Sequence, residues 1–116
     1  MNRKINLKAL LSSRGRTLEQ KLALFAWLSL GIVESVTKGL LKPEDAVSIF
    51  FNADNSLFVR RTLKEENAEE IMSRGIQLVD LFDALPAKRA HQELQKELKR
   101  MRSLSFSILD PKRLAA

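Results

Sequence analysis

The chain has 116 residues, no cysteine, 45% hydrophobic and 29% charged residues, and a formal net charge of +6. That length suits one domain, spanning 1–116, able to bury about two-thirds of its unfolded surface, and the composition excludes disorder over most of it. The lack of cysteine excludes a disulfide framework, a thiolate metal site and a cysteine nucleophile.

Few glycines and prolines, with Leu, Ala, Glu, Lys and Arg dominant, favour long helices. Charge is segregated. Residues 1–16 carry five basic and no acidic groups, residues 40–86 five basic and nine acidic, and residues 87–116 eight basic and three acidic. Two basic ends around an acidic middle suit a polyanionic partner, or attraction between ends and middle within or between chains. The longest apolar run, Leu22 to Val33, is twelve residues, short of the roughly 18 that suggest a membrane span. The basic N-terminus lacks the apolar core and cleavage site of a secretory signal, and a cytoplasmic location is expected.

In chain order, residues 1–16 read as a basic arm. Its Ile5, Leu7, Leu10 and Leu11 form a turn or two of amphipathic helix whose leucines dock on the core. Thr17 and Gln20 have the spacing of a capping box, and Gly39 sits where a left-handed C-terminal cap belongs. Between them lies a helix over about 18–38 that is apolar on almost every side, which predicts a buried central strut. Trp27 is expected in the core, and Gly31 at the close approach of a second helix.

Pro43, Glu44 and Asp45 start the next helix, which runs through Phe50 and Phe51 to about Asn52. The segment Asn52 to Ser56 is a turn. It is not a calcium loop, because Leu57 and Leu63 stand where an EF-hand requires Gly and Glu. Asp54 or Asn55 is expected to cap a short helix over 56–63. A helical pattern over 64–85 places Ala68, Ile71, Gly75, Leu78 and Phe82 on one stripe, with Gly75 a point of bending or breakage and Pro86 its end. The last helix is expected over 87–103, followed by a small apolar segment at 104–109 and a frayed tail at 110–116. The fold class that results is all-α: a compact bundle or orthogonal array of four to five helices around the central one.

Two stretches, GIVESVTKGLLKPEDAVSIFFNADN (Gly31 to Asn55) and EEIMSRGIQLVDLFDALP (Glu69 to Pro86), together resemble a family of small bacterial helical proteins defined as a domain of unknown function. The resemblance covers about half the chain. It implies an all-α fold in a bacterial, cytoplasmic setting and carries no activity and no functional residues.

Catalytic chemistry finds little to build on. His91, the only histidine, has Ala87 and Gln95 at helical spacing, so no partner for base or metal work. Asp80 and Asp83 are one turn apart, without a nucleophile or metal motif nearby. Ser12 to Thr17 precedes a helix but lacks the P-loop pattern. No catalytic, cofactor-binding or metal-ligating residue is assigned, and an enzyme is not expected.

The expected function is a small non-enzymatic protein–protein interaction or regulatory module, binding another protein or itself as a homodimer. The narrow apolar seam of the last helix, Ala90, Leu94, Leu98 and Met101, is the candidate interface. The alternative is nucleic-acid or other anion binding. It would use Arg3, Lys4, Lys8, Arg14 and Arg16 of the arm with Lys96, Lys99, Arg100 and Arg102 of the last helix, and requires both basic ends on one side. A third possibility, membrane-surface association of the arm, requires its apolar residues to be exposed.

Overall fold

The first two helices are capped by their own sequence. In the computed structural model, which describes residues 3–13 and 15–110, the Asn6 side chain accepts from the Ala9 amide at 3.1 Å and starts α1 (Leu7–Leu11). The Thr17 hydroxyl accepts from the Gln20 amide at 3.2 Å, and the Gln20 side chain accepts from the Thr17 amide at 2.9 Å. This capping box starts α2 (Leu18–Thr37) as expected. Arg14 and all of the expected tail except Asp110 lie outside the described residues.

At the far end of α2, Gly39 adopts φ +73°. Its amide reaches the Val36 carbonyl at 3.1 Å and the Leu40 amide reaches that of Ser35 at 2.8 Å, the paired bonds of a Schellman cap. The chain then turns into α3 (Pro43–Ile49), with Pro43 in its first turn. Asn52, rather than Asp54 or Asn55, caps α4 (Ala53–Phe58): its Oδ1 accepts from the Asn55 amide at 3.0 Å.

The chain runs from α4 without a break into a π turn (Val59–Leu63), which keeps Val59 and Leu63 in the core while Arg60 and Arg61 face outward. Lys64 ends it in the left-handed region at φ 48°, the only described non-glycine residue with positive φ. Glu65 then caps α5 (Glu66–Ile76), its Oε2 accepting from the Ala68 amide at 2.8 Å. α6 (Asp80–Ala84) and α7 (Ala87–Leu109) complete the chain.

The described residues hold no strand, and the all-α fold stands. There are seven α-helices among them because α1, α4 and α6 are separate short pieces. The pattern over 64–85 is two helices, α5 and α6, divided after Ile76 by a turn. α7 runs six residues past its expected end, because Leu104, Ser105 and Ile108 continue its buried stripe.

α7 organises the packing together with α2. The Ser29 and Ser105 hydroxyls meet at 3.2 Å, and Arg102 pairs with Glu34 at 3.4 Å, so α2 and α7 run antiparallel. α5 also lies antiparallel to α7, through Arg74–Glu97 at 2.6 Å and Arg100–Glu70 at 3.3 Å. Arg74 bonds Glu70 as well, at 2.8 Å. The hydrogen bond from the Arg74 guanidinium, assisted by Arg100, holds the Glu70 carboxyl below its ordinary value, and the two acids hold Arg74 above its own.

In the centre, Phe25 stacks on Phe50 (ring centroids 5.9 Å apart), and Phe50 meets Phe51 edge-on at 5.1 Å. The break expected at Gly75 falls one residue later, where α5 ends at Ile76. Gly75 itself leaves room for the Phe51 ring, which a β-carbon there would overlap.

Candidate functional site

The seam assigned to a partner helix is occupied by the chain itself. Ala90, Leu94, Leu98 and Met101 are all buried, and α7 packs on α2, α5 and α6. A narrow apolar stripe on a long polar helix is what a helix laid across its own neighbours requires. The interface expectation therefore moves off these four residues.

α2 supplies the surface that α7 does not. Leu22, Phe25, Ala26, Ser29, Val33 and Val36 form its buried face. The opposite face carries Trp27, 59% exposed, and Gly31, flanked by Leu24 and Leu28, which are half-buried and pack partly against the core. Trp27 is thus not a core residue. Gly31 is not at a helix crossing: a β-carbon built there meets nothing within 4 Å. The sequence signalled an apolar helix but not that one side would be left uncovered, because both sides carry the same residue types. At the α7 border of α2, the Arg102 guanidinium lies 5.5 Å over the ring of Phe106, which is itself exposed.

The basic residues are not all available to an anion. On α7, Lys96 pairs with Glu93, Arg100 with Glu70 and Arg102 with Glu34, leaving Lys99 outside the ion pairs of the described residues. In the arm, Arg3, Lys4 and Lys8 are exposed, Arg16 donates to the Leu10 carbonyl, and Arg14 lies outside the described residues. α1 packs on α2 and α4, and α7 packs on α2, α5 and α6, so the two basic ends share α2 as a neighbour.

The arm itself is fixed by a residue the sequence presented only as a turn former. Asn55 is 3% exposed. Its Oδ1 accepts from the Leu7 amide at 3.1 Å, and its Nδ2 donates to the carbonyls of Ile5 (2.8 Å) and Phe50 (2.9 Å). The Ile5 amide adds a bond to the Ile49 carbonyl at 2.9 Å. Leu7 and Leu11 are buried as expected, so the arm's apolar residues are largely spent on the core rather than offered to a membrane.

Between the clipped arm and the α4–π segment lies a cleft of about 490 Å³. Lys4 and Lys8 line it from the arm and Arg61 from the π turn; Asp54 is its one acidic residue. Ser12, Asn52 and Thr62 add neutral polar groups, and Ile5, Leu57 and Phe58 add apolar surface. No ion pair engages Lys4, Lys8 or Arg61 among the described residues. The cations that the fold does gather therefore come from the arm and the π turn. Arg61 was not among the expected contacts.

The catalytic candidates remain apart from this cleft. His91 lies edge-on to Phe82 at 5.2 Å, and Asp80 and Asp83 are exposed on α6. No group of three or more His, Asp or Glu among the described residues is placed to hold a metal ion. No described helix is long and apolar enough to cross a membrane. No family model matches the chain, and neither the curated proteins nor the solved structures contain a match to it.

Proposed function

We infer that the protein is a small non-enzymatic interaction module that pairs with a second copy of itself through the outer face of α2. The observation that carries this is Trp27, more than half exposed among Leu24, Leu28 and Gly31. An apolar patch left in water on a folded chain marks an interaction surface, and tryptophan is enriched at the energetic centre of such surfaces.

The second copy is favoured by the shape of the face. Trp27 projects, and one helical turn further on Gly31 leaves open space. A two-fold, antiparallel pairing of the two α2 helices sets each Trp27 over the Gly31 of the other copy. Such an isologous contact satisfies the knob and the notch together.

The sole tryptophan also reports on the contact. Its emission is expected to shift to the blue as concentration rises and to stay red in Gly31→Leu, which fills the notch without touching Trp27. An emission maximum that is red and independent of concentration would refute self-pairing on this face.

A further inference from the structure

A different set of residues carries a second site. We propose that the cleft between the N-terminal arm and the α4–π segment binds a small organic phosphate of about nucleotide size. Its volume, about 490 Å³, falls within the range of small-molecule sites, roughly 300–1,000 Å³.

The charge arrangement selects the ligand class. Lys4 and Lys8 approach from one wall and Arg61 from the other, against the single carboxylate of Asp54. None of the three is drawn into an ion pair among the described residues, as Arg100 and Arg102 are, so their charge is available to a ligand. Arginine offers a planar fork that binds two phosphate oxygens at once, and lysines neutralise the remaining charge as point cations. Phe58, Leu57 and Ile5 give the uncharged body of the ligand an apolar surface to lie on.

The wall that presents Arg61 is unusual backbone. Helical turns of the π type are rare and recur at functional sites, and this one ends on Lys64 in a left-handed conformation that costs a non-glycine residue free energy. The opposite wall is held in place before any ligand arrives, because Asn55 bonds both Ile5 and Leu7 of the arm. Its side chain is fully engaged there, which makes it a positioning residue and not a ligand contact.

The test is calorimetric titration at physiological salt with ADP, adenosine, inorganic pyrophosphate and a single-stranded RNA oligonucleotide. Saturable binding of ADP is expected, with pyrophosphate weaker and adenosine silent. Arg61→Gln and Lys8→Gln are each expected to weaken ADP binding about tenfold or more. Lys99→Gln, on the exposed face of α7, leaves it unchanged, and circular dichroism checks that each variant is folded. Exchange at the Leu7 amide should slow further with ADP, because bound ligand stabilises the already docked arm against local opening. Absence of saturable binding by both ADP and pyrophosphate overturns the proposal, as does equal ADP affinity in the Arg61 and Lys8 variants. Binding of the RNA alone, collapsing as salt rises, also overturns it and makes the cleft part of a polymer-backbone surface. None of these results depends on whether the chain pairs through α2.

Discussion

Asn55→Ala tests how the N-terminal arm is held. The substitution removes three hydrogen bonds, from the Leu7 amide at 3.1 Å and to the Ile5 and Phe50 carbonyls at 2.8 and 2.9 Å. With the arm still docked, each abandoned bond costs about 1 kcal/mol, and more where the orphaned group stays dry, so the loss is about 3 kcal/mol. The alternative is release of the arm. That exposes Leu7 and Leu11 but returns backbone freedom to the freed residues, so the global loss cannot exceed what docking of the arm contributes. Urea unfolding reads the global loss, and hydrogen exchange at the Leu7 amide reads release directly. Asn55→Asp adds a sign. It keeps the acceptor for Leu7 but turns a charge toward two carbonyls, which raises the carboxyl pKa in the fold. Its stability is thus expected to improve as pH falls and to be lost as pH rises through that raised value. A loss below about 0.5 kcal/mol in Asn55→Ala, with Leu7 exchange unchanged, would refute the clip.

Three further outcomes follow from the packing. Gly75→Ala gains helix propensity of about 1 kcal/mol but sets a β-carbon 2.8 Å from Phe51 Cδ2 and closer still to two other ring atoms. A net loss of about 1–3 kcal/mol in thermal or urea unfolding is expected, partly recovered by Phe51→Leu in the same chain. At the α2–α7 contact, the Ser105 hydroxyl lies 2.9 Å from the Met101 carbonyl and 3.2 Å from Ser29. With one hydrogen it donates to the carbonyl and accepts from Ser29, so Ser105→Ala orphans a buried hydroxyl and costs about 1–3 kcal/mol, whereas Ser29→Ala costs less; equal losses would contradict this. The Glu70 carboxyl, held low by Arg74, contributes stability that is present above the ordinary carboxylate range and lost as pH falls through its lowered value. Because the network is one-third exposed, Glu70→Gln should flatten the acid limb of a stability–pH curve by less than about 1 kcal/mol.

The parts of the fold legible in the sequence were those set by local chemistry. The Thr17–Gln20 capping box, the Gly39 cap and Pro43 at a helix start each concern backbone groups within a few residues. The docking leucines of the arm were legible from spacing alone. Long-range choices were not. Nothing local tells α2 which of two apolar faces its neighbours will cover, so Trp27 reads the same in a core as on a surface. The stripe of α7 was found, but a stripe does not name its partner, and α2 and α5 of the same chain take it. Asn55 looked like a turn residue because its partners, Ile5 and Leu7, lie some fifty positions away. The cleft escaped for the same reason: Arg61 meets Lys4 and Lys8 only once the arm is clipped down.

The central claim is that the outer face of α2 pairs two copies, and sedimentation velocity tests it most directly. The wild-type chain and Trp27→Ala are compared from about 1 μM to about 100 μM, a span that resolves micromolar association. The substitution removes an exposed side chain, so the fold should persist, as circular dichroism would verify. The expected result is a monomer–dimer equilibrium in the wild type and a monomer throughout in Trp27→Ala. A wild-type chain that sediments as a monomer at every concentration, or a dimer that persists unchanged in Trp27→Ala, would contradict the claim.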